Sequence, residues 1–300
     1  MGRTKMLKHV NTALLMTGVF VFPALSAKSG KVLHVPSEYP TLMAALVHAD
    51  DGDSVIAAPG RYAENVTLVQ GVVVTCSDPL KCTIDGMRRG PAVYAVAGSE
   101  ISNFTITNGI DGILCENAAA LHIHHNWIVD NEGAGISAFI ALPQIDNNVI
   151  YGNRWSGVLV WGAKSLDSRI ENNVILRNGY SGVSLRGPTR VVVRNNVFME
   201  NNEYGIYSDP DAGQSQIVYN DIYENNISFN RYTKANGSNI PLDPMFIDAG
   251  PSTPNFFPGR HSPLIRRGSD QVDIGLLAQD ETPVSSDTSG TSSSSTHQLK

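Results

Sequence analysis

The feature that most constrains the fold is an asparagine that recurs along the chain. Successive asparagines of this series are separated by 22 to 25 residues, and each is followed five residues later by another asparagine. The first set is Asn103, Asn126, Asn148, Asn173, Asn196 and Asn220, and the second is Asn108, Asn131, Asn153, Asn178, Asn201 and Asn225. Nine residues after the first five members stands a glycine followed by Ile or Val, at Gly112, Gly135, Gly157, Gly182 and Gly205. Agreement at three offsets indicates a repeat protein with one structural turn in about 23 residues.

Short alternating segments flank each asparagine and predict how one turn is built. Around Asn173, the segments Ile170–Asn172 and Val174–Ile175 favour two brief strands that meet at the asparagine. Asparagine tolerates the left-handed backbone of such a corner, and its amide can bond the asparagine of the next coil. The glycine begins a third strand. Three strands per turn predict an all-β parallel solenoid, because the turn is too long for a left-handed hexapeptide helix and lacks the leucines of a leucine-rich repeat.

The two ends of the chain predict export and capping. Residues 1–27 combine basic residues, a short apolar stretch and small residues, as in a cleavable signal peptide, so we expect a secreted or periplasmic monomer without a membrane span. Residues 28–278 then form the β-helix domain, and the Ser- and Thr-rich residues 279–300 form a disordered tail. A short helix over Thr41–Ala49 is expected to cover the N-terminal end of the solenoid, and Pro241–Gly275 to pack along its C-terminal end.

Charge and cysteines restrict the partners and the compartment. Loss of Arg3, Lys5 and Lys8 with the signal peptide would change the formal net charge from −6 to −9, which argues against nucleic acid or an anionic membrane as a partner. Cys76 and Cys82 bracket five residues. In an oxidising compartment they either form a disulfide or remain small buried side chains, and the sequence leaves both open.

Several longer runs resemble a known family. They are VPSEYPTLMAALVHADDGDSVIAAPGRYAENVTL, TIDG, IENNVILRNGYSGVSL and LDPMFID followed by HSPLIRRGSDQVDIG. These runs are similar to the bacterial right-handed β-helix repeat proteins of the pectin-lyase-like superfamily, over nearly the whole mature chain. The resemblance implies a single-stranded right-handed parallel β-helix (solenoid) with a short N-terminal capping helix. The resemblance gives little information about function, because that architecture serves lyases, epimerases, glycosidases, esterases, adhesins and a periplasmic copper-delivery accessory protein.

Alternation along the third strand predicts which side chains share an exposed face. If the aliphatic residue after each glycine points inward, two outward columns result, one of Leu114, Ser137, Leu159, Ser184 and Tyr207 and one of Glu116, Phe139, Trp161, Arg186 and Asp209. The preceding loops add aromatic and charged residues to this side, including Trp155, Tyr180, Glu203 and Tyr204. Flat rings and charges suit a sugar polymer. The alternative is that the aromatic rings only shield a sheet from aggregation.

One stretch on this face gives the sharpest chemical hypothesis. YGIYSDPDAG resembles, imperfectly, the Tyr-Gly-x-Asp-Pro-His motif of mannuronan C5-epimerases, with Asp211 in the place of the histidine. We assign Arg186, Tyr207 and Asp209 as catalytic residues. The reaction on a uronic-acid polymer needs a base that removes the proton beside the carboxylate and a cation that neutralises this carboxylate. The substrate-binding set is Trp155, Trp161, Tyr180, Glu203, Tyr204 and Asp211. The alternative is that Ser208 to Asp211 is only a turn.

Metal binding is the remaining question. Asp209, Asp211 and Glu203 could hold Ca²⁺ and so bridge an acidic polymer to an acidic protein, although no cofactor is required by the sequence. Hydrolysis of a neutral glycan by a pair of these carboxylates is a further alternative. His122 and His124 alternate onto one strand face and could share copper or zinc, but no Cys or Met lies nearby, and we interpret them as solvated surface residues with no metal.

The function predicted is therefore that of a carbohydrate-active β-helix protein. A polysaccharide lyase or C5-epimerase acting on a uronic-acid polymer is the first hypothesis. The second is a non-catalytic glycan-binding or adhesive surface protein. Because the histidine of the epimerase motif is missing and the net charge is negative, the sequence supports the second hypothesis nearly as well as the first.

Overall fold

The structure is a computed structural model, and it describes residues 30–167, 169–250 and 254–277. In chain order the strands are β1 Val32–Val35, β2 Ser54–Ala57, β3 Gly60–Tyr62, β4 Val66–Thr67, β5 Val73–Cys76, β6 Cys82–Asp85, β7 Val93–Ala95, β8 Glu100–Ser102, β9 Phe104–Thr107, β10 Ile113–Glu116, β11 His122–His124, β12 Trp127–Val129, β13 Ile136–Phe139, β14 Gln144–Asp146, β15 Val149–Tyr151, β16 Val158–Trp161, β17 Arg169–Glu171, β18 Val174–Leu176, β19 Ser181–Arg186, β20 Val192–Arg194, β21 Val197–Met199, β22 Tyr204–Ser208, β23 Gln216–Val218, β24 Asp221–Tyr223, β25 Ile227–Phe229, β26 Phe246–Asp248 and β27 Asn255–Pro258. One α-helix, α1 Leu42–Leu46, and two 3₁₀ turns, Pro210–Ala212 and Ser269–Gln271, complete the described elements.

Three parallel sheets wind around one axis. Sheet A runs β1-β2-β5-β8-β11-β14-β17-β20-β23, sheet B contains β3, β6, β9, β12, β15, β18, β21 and β24, and sheet C contains β4, β7, β10, β13, β16, β19, β22 and β25. Each coil contributes one strand to each sheet, which gives a solenoid of about nine turns. The predicted all-β parallel solenoid is confirmed, and β26 and β27 form a separate antiparallel pair.

The interior is built from aligned aliphatic columns. In sheet C, successive coils place the residue after each repeat glycine in register, and Ile113, Ile136, Val158, Val183 and Ile206 are all fully buried. The glycines are needed because neighbouring coils approach them closely. A Cβ on Gly135 would lie 2.6 Å from Cγ2 of Ile150 and 2.7 Å from the carbonyl oxygen of Gly157. The predicted inward direction of this column is therefore confirmed.

The asparagines form two continuous buried ladders. Asn148 Nδ2 donates to Asn173 Oδ1 at 3.0 Å, and Asn173 Nδ2 repeats the contact to Asn196 Oδ1 at 3.0 Å. The left-handed corner, however, is the residue before the ladder asparagine, as at Asn147 and Asn172, both with φ of 54°. We expected one asparagine to serve both purposes, and that was wrong, since the corner side chain points away from the core while the next one enters it.

The first repeat is shifted by one residue from the predicted alignment. Asn103 has φ of 67° and is a corner residue, so Phe104 occupies the ladder position beside Asn126. Asn108 is likewise a corner residue, with φ of 54°, and its successor Gly109 donates its N–H to Asn131 Oδ1. The ladder therefore begins at Asn126 and Asn131. A buried phenyl ring replaces the amide in the earlier coil, because packing and not hydrogen bonding fills that position.

Helix α1 packs on the first coils. Thr41 is its N-cap and its side chain accepts the N–H of Ala44, while the Glu64 carboxylate accepts the N–H groups of Leu42 and Met43. Leu42 and Leu46 are buried against the solenoid. The predicted helix Thr41–Ala49 was too long, because the N–H of Val47 makes the last i to i−4 hydrogen bond and His48 and Ala49 make only the tighter i to i−3 bonds of a turn. In the described part of the chain, no helix has the length and apolar character that a bilayer span requires.

The C-terminal segment lies where the sequence did not predict it. An irregular last coil ends with isolated bridges at Ala235 and Ile240. Residues 241–250 and 254–277, which we call the C-terminal strap, pack on the outer face of sheet B and not along the end of the solenoid. Phe256 and Leu264 pack there on outward apolar residues such as Val174 and Val197. An apolar outer stripe on sheet B is the reason, since it must be covered.

Cys76 and Cys82 are joined in a disulfide with a Cα–Cα distance of 5.8 Å, and Cys115 is a buried thiol. This bond closes the loop between β5 and β6, which settles the choice that the sequence left open. The predicted signal peptide, residues 1–27, and the predicted tail, residues 279–300, lie outside the described residues.

Candidate functional site

The outer surface of sheet C, with the loops that precede its strands, gathers aromatic side chains and is called here the sheet C face. Its two tryptophans are exposed, Trp155 by 43% and Trp161 by 52%. Trp161 lies in register with Arg186 of the next coil. By contrast Ser184, which faces outward between two core residues, is fully buried and contacts the Ser156 hydroxyl at 2.9 Å. Large side chains therefore cover the middle of this surface.

Arg186 is the centre of the most structured cluster on this face. Its guanidinium lies 3.9 Å from the centre of the Tyr207 ring and 5.6 Å from that of Tyr180. Asp209 approaches it at 3.4 Å and also accepts the N–H of Gly187 at 2.9 Å. The Arg186 side chain is 18% exposed. Because a stacked guanidinium retains several N–H donors, this cation can still bond an anionic ligand at the surface.

The aromatic rings continue from this cluster as a row. The ring centre of Tyr180 lies 5.9 Å from that of Tyr207 and 6.0 Å from that of Tyr204, and the ring centres of Tyr204 and Tyr207 are 5.4 Å apart. Trp155 extends the row by one coil, with its ring 6.3 Å from that of Tyr180. The backbone explains the alignment, since Tyr180 donates its N–H to the Trp155 carbonyl and Tyr204 to the Tyr180 carbonyl. Rings from three successive coils thus share one surface.

The ionisation of Tyr207 limits its chemistry. Burial raises the pKa of its phenol, the Arg186 cation opposes this rise, and Asp209 adds to it. The hydroxyl therefore keeps its proton at neutral pH, and Tyr207 is suited to donating a proton and not to removing one. Asp209 is a poor base for a different reason, because both of its oxygens are engaged.

A pocket of about 430 Å³ opens beside Tyr204 and Tyr207. Its other wall comes from the coil after the repeat has decayed, with Arg231 stacked at 4.6 Å on the ring of Tyr232. These two residues were not among the predicted site residues. The available signal was their composition, since an Arg-Tyr pair follows the last strand of sheet C after one intervening asparagine, but no repeat position predicted the direction of the two side chains.

The remaining predicted residues lie apart from the cluster to different degrees. Trp161 is near Gly187, where a Cβ would lie 3.3 Å from the indole Nε1. Glu203 is exposed, and Asp211 lines a separate pocket with Lys164 and Arg190. Within the described residues, Glu203, Asp209 and Asp211 do not form a group of convergent metal ligands, so the geometry gives no support to the Ca²⁺ hypothesis. The group that does converge is elsewhere, at Glu100, His122 and His124 of sheet A.

Comparison with known proteins identifies the family. A family model described as the right handed beta helix region matches residues 77–166 and 139–240. The chain belongs to this family. The resemblance that the sequence suggested is thereby confirmed, together with the handedness of the solenoid. No curated protein matches the sequence.

Three solved structures illustrate the relationship. The A-module of mannuronan C-5 epimerase AlgE4 from Azotobacter vinelandii is 16% identical with a TM-score of 0.47, covering 67% of this chain and 71% of its own. Pectate lyase Pel9A is 13% identical with a TM-score of 0.45, covering 80% and 91%. The periplasmic alginate epimerase AlgG is 14% identical with a TM-score of 0.46, covering 73% and 56%. Similarity at this level does not extend to function.

Proposed function

We propose that this right-handed β-helix protein binds an acidic polysaccharide along the sheet C face. The observation that supports the proposal most directly is the row of rings from Trp155 through Tyr180 to Tyr204 and Tyr207, with the Arg186 cation among them. Successive coils lie about 4.8 Å apart, which is close to the length of one sugar unit. A chain of sugars parallel to the solenoid axis would therefore meet one aromatic ring per coil.

Arg186 is the reason to propose a uronic-acid polymer and not a neutral glycan. The sugar rings would stack on the aromatic side chains, while a carboxylate would bond the guanidinium edge that Asp209 leaves free. We further propose that the protein is exported, either secreted or periplasmic, and acts as a monomer. Export follows from the composition of residues 1–27 and gives access to such polymers.

A lyase or C5-epimerase is the second candidate, and the pairing of Tyr207 with Arg186 favours it. Arg186 would neutralise the uronate carboxylate while the neutral Tyr207 phenol donated a proton, and Asp209 would hold the guanidinium in place. The step that removes the sugar proton has no free base in this cluster, since Asp209 is engaged and Tyr207 is protonated. For this reason we propose polysaccharide binding as the first function and catalysis as the second.

The first test measures affinity for oligosaccharides of pectate, alginate and glycosaminoglycans by titration calorimetry. Trp155→Ala and Trp161→Ala should each weaken binding by roughly tenfold or more, corresponding to about 1.4 kcal/mol. Tyr223→Ala is the matched control, because Tyr223 lies on sheet B, outside the proposed face. Unchanged affinity in both tryptophan variants would exclude the sheet C face as the binding surface.

The second test separates binding from catalysis. Ultraviolet absorbance of unsaturated products, with and without Ca²⁺, reports a lyase, and proton NMR of the recovered polymer reports an epimerase. If the protein is an enzyme, Tyr207→Phe should abolish turnover and preserve affinity, since only the hydroxyl is lost. Absence of both products from all three polymers, together with measurable binding, would identify a binding protein.

A further inference from the structure

A cluster of imidazoles and carboxylates lies on the outer face of sheet A, away from the proposed glycan surface. Three neighbouring strands supply it: β8 gives Glu100, β11 gives His122 and His124, and β14 gives Asp146. In the ladder His122 is paired with Glu100, and His124 is paired with Asp146. Alternation points both histidines outward, because Ile123 between them is fully buried.

The side chains of the cluster bond diagonally across this register. His124 Nε2 lies 3.1 Å from Glu100 Oε1, and His122 Nε2 lies 2.6 Å from Asp146 Oδ1. The two imidazoles stack with their centres 4.1 Å apart. Ligand atoms of Glu100, His122 and His124 all lie within 4.8 Å of one another. Three donors from two adjacent strands thus converge on one point.

His125 adds a contact that orients the ring of His124. The Nδ1 atoms of the two residues are 2.7 Å apart, so one of them donates and the other accepts. With the proton on His124 Nδ1, its Nε2 carries a lone pair toward the convergence point and does not donate to Glu100, so two acceptors face each other across 3.1 Å, as they would around a bound cation. A ligating histidine commonly donates its second ring N–H in this way, which fixes the tautomer and the ring orientation.

We propose that Glu100, His122 and His124 bind a divalent transition-metal cation of the zinc class, with Asp146 holding His122 and His125 holding His124. Two imidazoles and a carboxylate form a common donor set for such cations and a poor one for Ca²⁺ or Mg²⁺. Tetrahedral coordination at about 2.0 to 2.1 Å places the donor atoms roughly 3.3 Å apart. Small side-chain rotations that move the three donor atoms by about 1 Å would therefore complete the site. An open fourth position faces solvent.

The alternative is a solvated network of surface hydrogen bonds without a metal. Two features favour the metal. The rings converge with a carboxylate on one point, and each ring has a second partner on its far side or edge, as metal-ligating histidines do. A surface network would stabilise the strands equally well with the pairs spread apart.

The test titrates the full chain, without a histidine tag and after treatment with a chelator, with ZnCl₂ in a calorimeter. One Zn²⁺ per chain is expected. His122→Gln and His124→Gln should each weaken binding by at least about 100-fold, and His125→Ala by roughly 10-fold, because it acts through His124. The matched control is His34→Gln on β1, an exposed histidine of the same sheet, which should leave the affinity unchanged.

Two results would overturn the proposal: the absence of heat up to millimolar Zn²⁺, or equal affinity in the chain and in the His122→Gln, His124→Gln double variant. Circular dichroism of each variant confirms that the fold is retained, as expected for substitutions on an outer face. Glycan affinity measured with and without chelator keeps the two proposals separate. A metal on sheet A should leave the affinity of the sheet C face unaltered.

Discussion

Truncation of one ladder asparagine tests what holds the solenoid together. Asn173 makes five hydrogen bonds through its side chain, all of them from a buried position. Its Nδ2 donates to the carbonyls of Ile145 and Glu171 and to Asn196 Oδ1, and its Oδ1 accepts both the backbone N–H and the Nδ2 of Asn148. Asn173→Ala removes all five and places nothing in the space that the amide occupied.

The expected loss can be estimated from the groups left behind. The backbone N–H of Asn148 loses its partner Asn173 Oδ1 in a site without solvent, which costs about 1 to 3 kcal/mol. The cavity and the weakened carbonyl contacts add about 2 kcal/mol more, for a total of roughly 3 to 5 kcal/mol. For a domain of this size, that corresponds to a decrease in melting temperature of roughly 6 to 20 °C.

The measurement is chemical denaturation followed by both circular dichroism and tryptophan fluorescence, since repeat proteins do not always unfold in one step. Asn202→Ala is the matched control, because Asn202 is an exposed asparagine whose amide bonds one carbonyl, that of Gly179, at 3.3 Å. Its effect should stay within about 0.5 kcal/mol. A loss below about 1 kcal/mol for Asn173→Ala, or losses that are equal in the two variants, would refute the view that the ladder stabilises the coils.

Two further predictions concern a buried acid and the C-terminal strap. Burial raises the pKa of Asp221 from 3.8 to about 7, and nearby Asp243 adds to the rise. The native state therefore binds this proton more tightly than the unfolded chain between about pH 4 and 7, so the free energy of unfolding should fall with rising pH across that window, by up to about 4 kcal/mol. Asp221→Asn should flatten this profile in pH-dependent thermal melts, and an unchanged slope would contradict it. Phe256→Ala, which removes the ring packed 6.0 Å from that of Trp127, should release the strap and expose it to limited proteolysis while the coils stay resistant; uniform digestion would argue against a separately docked strap.

The repeat made most of the fold predictable, and its failures have local causes. A column such as Ile113 and Ile136 is fixed by spacing, because a one-residue slip would turn every core side chain outward. At Asn103 the same spacing misled, since a corner and a ladder position both accept asparagine and differ by one residue. The fully buried ring of Phe104 fills the core there, and the spacing alone did not predict it.

Prediction of the site followed the same division. Alternation was enough to place Arg186 and Tyr207 on one surface, because strand residues have a fixed direction. It could not place Asp211, which belongs to a 3₁₀ turn and faces another pocket, nor Arg231 beyond the last regular coil. The carboxylates that complete the histidine cluster were missed as well, since Glu100 and Asp146 lie more than twenty residues from the histidines they bond.

The doubled asparagines favour sheet C as the face for the proposed glycan. In the pairs Asn147-Asn148 and Asn172-Asn173, the second asparagine enters the ladder and the first points outward to hold the strap: Asn172 donates to the carbonyls of Asp273 and Gly275, and Asn147 accepts the N–H of Leu277. The corners without such a pair, as at His125, lack this contact with the strap within the described residues. The strap thus covers the outer face of sheet B from β12 to β21. A polymer that follows several coils is left with sheets A and C, and of these only the side of sheet C carries the exposed tryptophans of the described chain.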